Sequence, residues 1–162
     1  MSLSPTLLLI GAGGFVGGHV DEAARAAGLR VLRAGRDTDD GLPCDLPDPA
    51  SVEACVREAA PDLVVNMAGA ASVAASWERP AQTFAVNTTG VVNLLQAVTL
   101  HAPEAHVLCV SSAEVYGEPS AEKLPFAEDL PLEPLTPYGA SKAAMEIACG
   151  QYARTRNLRI AV

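Results

Sequence analysis

A short apolar run, Leu7-Leu-Leu-Ile10, ends in the glycine-rich segment Gly11-Ala-Gly-Gly14-Phe-Val-Gly17. An apolar run of this length bounded by glycine is typical of a strand buried on both faces, as in a parallel sheet. The residues after the glycines predict a helix from about residue 14 to residue 27, closed by Gly28. This order of strand, glycine turn and helix is the first unit of a doubly wound α/β domain, and it is the context in which a glycine pattern binds a dinucleotide.

The glycine spacing is GxxGxxG through Gly11, Gly14 and Gly17, since Val16 stands where a GxGxxG pattern needs its last glycine. Glycine permits the tight turn, lets the backbone approach a pyrophosphate, and lets the helix pack on its strand. The free N–H groups at the helix N-terminus would bind the phosphates. We therefore expect a dinucleotide at this turn, with a plain strand-to-helix turn as the alternative. The residues predicted to bind it here are Gly11, Gly13, Gly14, Phe15, Val16 and Gly17.

The rest of the chain alternates between strand and helix patterns. We expect further strands at about 30–34, 42–46, 62–66, 105–110 and 158–162, and further helices at about 49–60, 80–101 and 136–156. The segments 69–79 and 112–135 are predicted to be loops, and a loop as long as the second is usually functional. Strand–helix alternation with right-handed crossovers predicts an α/β fold of the Rossmann type, a doubly wound parallel sheet.

Composition excludes several classes of protein. The 162 residues, 49% of them apolar, suffice for one sizeable core, and the net charge of −8 argues against nucleic acid or an anionic membrane as partner. The four cysteines are dispersed, and His19, His101 and His106 lack metal-ligand spacing, so we expect free thiols and no metal site. Without a long apolar run or a leader-like segment, we expect a cytoplasmic protein.

The end of the second predicted strand governs the choice between NAD and NADP. An acidic residue there bonds the ribose 2′-OH of NAD, whereas arginine accommodates the 2′-phosphate of NADP. The segment Arg33-Ala-Gly-Arg36-Asp37 presents two basic side chains before the acidic one. We therefore expect NADP to be slightly favoured over NAD, with solvated loop arginines as the alternative. Asp45 and Leu46, at the end of the third strand, are expected at the adenine.

A second pattern lies on the last long helix, where Tyr138-Gly-Ala-Ser-Lys142 places a phenol and an ammonium on one face. With the glycine turn far upstream and the pair Ser111-Ser112 between them, this order indicates a nicotinamide-binding enzyme. The charge of Lys142 would favour the phenolate form of Tyr138, so that the phenol can act as acid or base near neutral pH. An amphipathic helix with an exposed lysine is the alternative.

Four segments together resemble the extended short-chain dehydrogenase/reductase family, the NAD-dependent epimerases and dehydratases, over the whole chain. They are the GxxGxxG turn, Asn66-Met-Ala-Gly69, Ser111-Ser-Ala-Glu-Val-Tyr-Gly117 and Tyr138-xxx-Lys142. Within the family, the segments 71–80 and Ala85-Val-Asn87 look most like those of GDP-mannose 4,6-dehydratases and GDP-4-keto-6-deoxymannose reductases.

The resemblance implies hydride transfer at C4 of a nucleotide sugar, with Ser112, Tyr138 and Lys142 as catalytic residues. It also implies that Glu114 would remove the C5 proton in a dehydratase. Ala113 stands where the dehydratases have a polar residue, which weakens the dehydratase interpretation and leaves open a simple 4-keto reductase, which needs no C5 base. A nucleotide-sugar 4-epimerase or decarboxylase remains an alternative within the family, and Glu114 as a solvated loop residue remains the alternative to a catalytic role.

The resemblance adds Met67, Ala68, Gly69, Asn87, Tyr138 and Lys142 to the expected cofactor-binding residues. It implies a homodimer through the helices at 80–101 and 136–156. It further implies that residues 1–162 are the dinucleotide-binding, N-terminal half of a larger enzyme, with a C-terminal substrate domain outside this sequence. A non-catalytic protein that senses the dinucleotide is the alternative from another class.

Overall fold

The computed structural model describes residues 4–36 and 41–162. Its centre is a six-stranded parallel sheet in the order β3-β2-β1-β4-β5-β6. Because the order reverses between β1 and β4, the sheet is doubly wound and has its switch point at that boundary. The strands are β1 Thr6–Ile10, β2 Arg30–Gly35, β3 Leu42–Pro43, β4 Leu63–Asn66, β5 His106–Cys109 and β6 Arg159–Ala161. The predicted Rossmann-type fold is confirmed.

Helices cover both faces of the sheet. They are α1 Phe15–Ala26, α2 Pro49–Ala59, α3 Val73–Glu78, α4 Pro80–Phe84, α5 Gly90–His101 and α6 Pro137–Arg156. Alternate side chains of β1 point to opposite faces, so Leu8 and Ile10 enter the larger core while Leu7 and Leu9 enter the smaller one next to α1. The larger core holds side chains from α2, α5 and α6.

The helices α2 and α6 each begin with an N-cap residue followed by proline, a pattern that is visible in the sequence. Asp48 accepts a hydrogen bond from the Ala50 N–H at 3.0 Å, and Thr136 accepts one from the Gly139 N–H at 2.9 Å. Proline follows each cap, where its missing N–H costs nothing. These caps place the beginning of α6, and therefore Tyr138, at the carboxyl edge of the sheet.

The structure corrects the prediction that 69–79 is a loop, because α3 lies within it. Ser72 caps α3 by accepting a hydrogen bond from the Ala75 N–H at 3.1 Å. The helix is one and a half turns long and has no apolar period to reveal it in the sequence. The predicted helix 80–101 is continuous but contains one π-helical turn, Ala85–Thr89, between α4 and α5.

Two smaller differences concern the ends of strands and the long loop. The third strand, predicted at 42–46, pairs with β2 only at Leu42 and Pro43, because the chain then turns towards α2. The 112–135 loop contains two 3-10 turns, Ala113–Tyr116 and Ala121–Lys123.

Within the two described ranges, no helix combines the length and apolarity needed to cross a membrane. In the same ranges no three side chains of the metal-ligating types come together. All four cysteines are buried free thiols.

Candidate active site

The glycine turn connects β1 to α1 at the carboxyl edge of the sheet. Gly11 has a φ of +85°, and a Cβ at this position would lie 2.7 Å from the Ala68 backbone nitrogen. A Cβ on Gly17 would lie 2.2 Å from the Gly11 carbonyl oxygen. Glycine is therefore required at both positions for α1 and the β4 loop to approach the turn. Gly14 precedes α1 without a side-chain cap, which leaves the first N–H groups of the helix for an anion.

A cleft of about 530 Å³ runs from the glycine turn along the loops that follow β2, β3 and β4. One wall of the cleft comes from α3 and α4, through Ala75, Arg79 and Gln82. Sequence reasoning missed this wall, because it treated α3 as loop. Eight of the residues predicted to bind the cofactor line the cleft: Gly11, Gly14, Arg36, Asp45, Leu46, Met67, Ala68 and Gly69.

Four other residues of the predicted set lie around the turn rather than in the cleft lining. Gly13, Phe15 and Val16 are exposed, and the Phe15 ring meets the His19 ring edge-on at 5.1 Å. Gly17 is buried and packs on the turn itself. Phe15 and Val16 begin α1, so their main-chain N–H groups lie where a ligand at the start of the helix would bind.

The two arginines approach the glycine turn from different sides. Arg36 is exposed and lines the cleft. Arg33 lies next to α1, where its Nη2 donates to the Ala12 carbonyl oxygen at 3.5 Å and its Nε lies 3.7 Å from an Asp21 carboxylate oxygen. Asp37 falls outside the described residues. Of Arg33 and Arg36, Arg36 is therefore the one that lines the cleft.

Asn87 lies in the π-helical turn, and its side chain bonds to the loop that follows β4. Its Oδ1 accepts a hydrogen bond from the Ala70 N–H at 2.8 Å, and its Nδ2 donates to the Ala70 carbonyl at 3.1 Å and to Ser141 Oγ at 2.9 Å. Asn87 is fully buried. The side chain therefore ties the loop after β4 to α6, and its amide groups are already used by the protein.

Tyr138 is held at the first turn of α6 through its main chain. Its N–H donates to Ser76 Oγ at 3.1 Å, and Ser76, in α3, is itself fully buried. The Tyr138 side chain is also buried. Among the described residues, no hydrogen bond joins the Tyr138 hydroxyl to Ser112 or to Lys142. Ser76 was missed by sequence reasoning, because nothing marks a serine in an assumed loop as the anchor of a distant helix.

Lys142 connects the end of β5 to the loop after β4. Its Nζ donates to the Val110 carbonyl oxygen at 2.7 Å, and a Cβ on Gly69 would lie 3.5 Å from the same Nζ. Burial lowers the pKa of Lys142 below its ordinary value, while neighbouring cysteine side chains and the Glu146 carboxylate oppose this effect. The ammonium therefore stands at the edge of the cleft but inside the protein.

Ser112 and Glu114 lie where β5 meets the start of α6. Ser112 precedes the 3-10 turn, and its Oγ accepts a hydrogen bond from the Glu114 N–H at 3.3 Å. The Glu114 carboxylate is exposed and accepts a hydrogen bond from Thr136 Oγ1 at 3.3 Å. A Cβ on Gly139 would lie 2.6 Å from the Glu114 carbonyl oxygen. The two segments therefore lie in direct contact, which brings Ser112, Tyr138 and Lys142 to one edge of the sheet.

Comparison with known proteins agrees with this geometry. The model of the NAD dependent epimerase/dehydratase family matches residues 7–162. Among curated relatives, the GDP-6-deoxy-D-mannose reductase of Pseudomonas aeruginosa is 33% identical over 164 aligned residues, which cover 99% of this chain and 51% of that protein. The chain thus spans about half the length of this relative. That it forms the dinucleotide-binding half of a larger enzyme stays a prediction.

Two solved structures share the fold over nearly all of this chain. The UDP-glucose 4-epimerase of Thermus thermophilus in complex with NAD is 32% identical with a TM-score of 0.86, over 96% of this chain and 53% of that one. RMD from Pseudomonas aeruginosa complexed with NADPH is 32% identical with a TM-score of 0.83, over 97% of this chain and 51% of that one. The resemblance drawn from the four sequence segments is confirmed, and the chain belongs to the NAD dependent epimerase/dehydratase family.

Proposed function

We propose that this chain binds a nicotinamide dinucleotide and supplies the catalytic residues of an enzyme that modifies a nucleotide sugar at C4. The proposal rests on two contacts: α6 packs against the segment after β5 at Gly139 and Glu114, and the Lys142 ammonium lies beside Gly69, which lines the cleft. The residues of the cleft fit a dinucleotide. Gly11 and Gly17 lack the Cβ atoms that would close the turn, so the turn stays open at the helix N-terminus, where a phosphate would bind.

The cleft offers each part of a dinucleotide a suitable partner. The α1 N-terminus would hold the pyrophosphate, while Asp45 and Leu46 would hold the adenine. Lys142, next to Gly69, would hold the nicotinamide ribose. Met67 and Ala68 line the cleft between these ends. Asn87 would act indirectly, by fixing the loop after β4.

In the reaction, Tyr138 moves the proton at the C4 oxygen of the sugar. A nicotinamide cofactor, when bound, would supply or accept the hydride at the C4 carbon. In reduction the Tyr138 hydroxyl gives its proton to the oxygen, and in oxidation the phenolate removes it. The Lys142 ammonium lies one helical turn from Tyr138 on the same face of α6, and the Ser112 hydroxyl would orient the same oxygen.

We propose NADP as the preferred cofactor, through Arg36 in the cleft and Arg33 beside the turn. Guanidinium groups form charge-assisted hydrogen bonds with phosphate, which the NAD ribose lacks. Both kinds of cofactor occur among the similar structures, NADPH with the Pseudomonas protein and NAD with the Thermus epimerase.

The reaction we propose is reduction of a 4-keto group of a nucleotide sugar. Glu114, the residue that a dehydratase would use as C5 base, accepts a hydrogen bond from Thr136, and Ala113 precedes it. The similarity to a GDP-6-deoxy-D-mannose reductase supports a GDP-linked substrate. A 4-epimerase is the second candidate, favoured by the likeness to the Thermus enzyme.

We also propose that the enzyme is a homodimer through α4–α5 and α6. Large apolar side chains are exposed on these helices: Phe84, Leu100 and Ile147, the last 64% exposed. An interface between two copies would bury them.

The test measures NADPH oxidation by the enzyme that contains this chain, with GDP-4-keto-6-deoxy-D-mannose as substrate. We expect turnover, and we expect none from the Tyr138→Phe variant. Interconversion of UDP-glucose and UDP-galactose without net NADPH oxidation would support the epimerase instead. NADPH binding with no turnover of either substrate would contradict both reactions and point to a dinucleotide sensor.

A further inference from the structure

The end of β5 is joined to one face of α6 by two side-chain contacts at consecutive positions. Lys142 Nζ donates to the Val110 carbonyl oxygen at 2.7 Å. The hydroxyl of the next residue, Ser111, donates to Glu146 Oε1. Lys142 and Glu146 are one helical turn apart. Two neighbouring residues directly after β5 are therefore held by two residues stacked along α6, so that α6 cannot rotate or slide past this segment without losing both contacts.

Glu146 continues the helix face that carries the proposed acid/base. Tyr138, Lys142 and Glu146 follow at intervals of four residues. Within residues 4–36 and 41–162, Glu146 makes no direct ion pair with Lys142, so its charge acts over a longer distance. Lys142 is buried and Glu146 is half-buried, so their charges are screened less than in water. Ser111 keeps the carboxylate in place.

We propose that Glu146 is a positioning residue: anchored by Ser111, its carboxylate is the counter-charge that holds the Lys142 ammonium at the Val110 carbonyl. The effect of Glu146 on catalysis rests on the proposed function. A buried amine without a counter-charge loses its proton more readily. Loss of Glu146 would therefore act on the chemistry through the charge of Lys142.

The test follows the protonation of Lys142 directly. Residues 1–162 contain two lysines, Lys123 and Lys142, and their side-chain signals are followed by NMR in protein labelled at lysine. Exposed Lys123 is the internal reference, and a Lys142→Arg variant assigns the signals. In Glu146→Gln we expect the titration midpoint of Lys142 to move to lower pH while that of Lys123 stays unchanged. Glu118→Gln, which removes an equal charge from an exposed loop, should leave the Lys142 midpoint where it is.

The other titratable side chains that act on Lys142 are Cys109 from β5 and Cys149 from α6. The Glu146 charge raises the pKa of the Cys149 thiol, so its loss favours the thiolate, which would move the Lys142 midpoint to higher pH, opposite to the shift that we expect. Ser111→Ala keeps the charge of Glu146 but removes its anchor, and we expect a smaller shift of the Lys142 midpoint in the same direction.

An unchanged Lys142 midpoint in Glu146→Gln overturns the proposal. If that variant does not fold, Ser111→Ala decides alone, and an unchanged midpoint there overturns the proposal as well. NADPH binding to the wild-type protein is measured by calorimetry in parallel. Lack of NADPH binding would contradict the proposed function without affecting the comparison of Lys142 titrations.

Discussion

Ser76 in α3 accepts a hydrogen bond from the main-chain N–H of Tyr138 at 3.1 Å, across 62 residues of sequence. The serine is fully buried and also donates to the Val73 carbonyl at 2.6 Å. A short helix at the wall of the cleft thus fixes the first turn of the helix that carries the proposed acid/base. This hydroxyl couples the wall of the cleft to the start of α6.

Ser76→Ala should therefore lower the free energy of unfolding by about 1–3 kcal/mol, because it leaves the buried N–H of Tyr138 without an acceptor. Urea denaturation measures the change. Ser120→Ala, at an exposed position, is the matched control and should leave stability unchanged. Equal stability of Ser76→Ala and wild type would show that the hydrogen bond contributes nothing.

Tyr138→Phe should abolish hydride transfer and leave NADPH affinity nearly unchanged, since the ring still packs and only the proton carrier is lost. Lys142→Met should reduce both, because it removes the ammonium one helical turn from Tyr138 and the proposed ribose contact. Turnover and calorimetric binding are measured on the same preparations. A Phe variant with turnover near that of wild type would disprove the acid/base role of Tyr138.

Arg36→Ala should weaken NADP binding by about 1–3 kcal/mol through the loss of a charge-assisted hydrogen bond, with NAD binding hardly changed. Arg33→Ala should weaken NADP binding too, and should also lower the free energy of unfolding, because Arg33 contacts Ala12 and Asp21. Arg57→Ala, exposed on α2, controls for net charge. Equal losses for NAD and NADP would mean that the arginines do not recognise the 2′-phosphate.

Two neighbouring glycines of α1 should respond oppositely to alanine. A Cβ on Gly17 would lie 2.2 Å from the Gly11 carbonyl oxygen, so Gly17→Ala should destabilise by about 1–3 kcal/mol and weaken dinucleotide binding. A Cβ on Gly18 meets nothing within 4 Å, so Gly18→Ala should stabilise by up to about 1 kcal/mol through helix propensity. Thermal unfolding of both variants measures the two changes in stability. Changes of the same sign would contradict this prediction.

The lowered pKa of Lys142 predicts a dependence of stability on pH. The folded state binds the Lys142 proton less tightly than the unfolded state, so the cost of burying the charge is present at neutral pH and disappears as pH rises through the folded and then the unfolded pKa. The stability of wild type relative to Lys142→Met should therefore increase from neutral pH towards about pH 10.5, the ordinary lysine value. Lys123→Met, at an exposed site, should show no such trend. Denaturation at a series of pH values measures both differences.

Most of the fold could be predicted from local patterns in the sequence. The apolar run before Gly11 predicted a buried parallel strand, and Asp48-Pro49 and Thr136-Pro137 predicted the starts of α2 and α6. The prediction missed α3, whose six residues carry no apolar period. The prediction also made the third strand too long. Its pairing with β2 ends at Pro43, and the length of a strand depends on the strand beside it.

The sequence by itself determined the glycine turn and the Tyr138–Lys142 spacing, because backbone freedom and helical periodicity act over a few residues. Only the tertiary structure decided that Ser76 anchors Tyr138, that Asn87 braces the loop after β4, and that Glu146 reaches Ser111. The partners in these contacts are 62, 17 and 35 residues apart in the chain. A buried polar group takes whichever partner the packed core brings to it, and no local pattern specifies that choice.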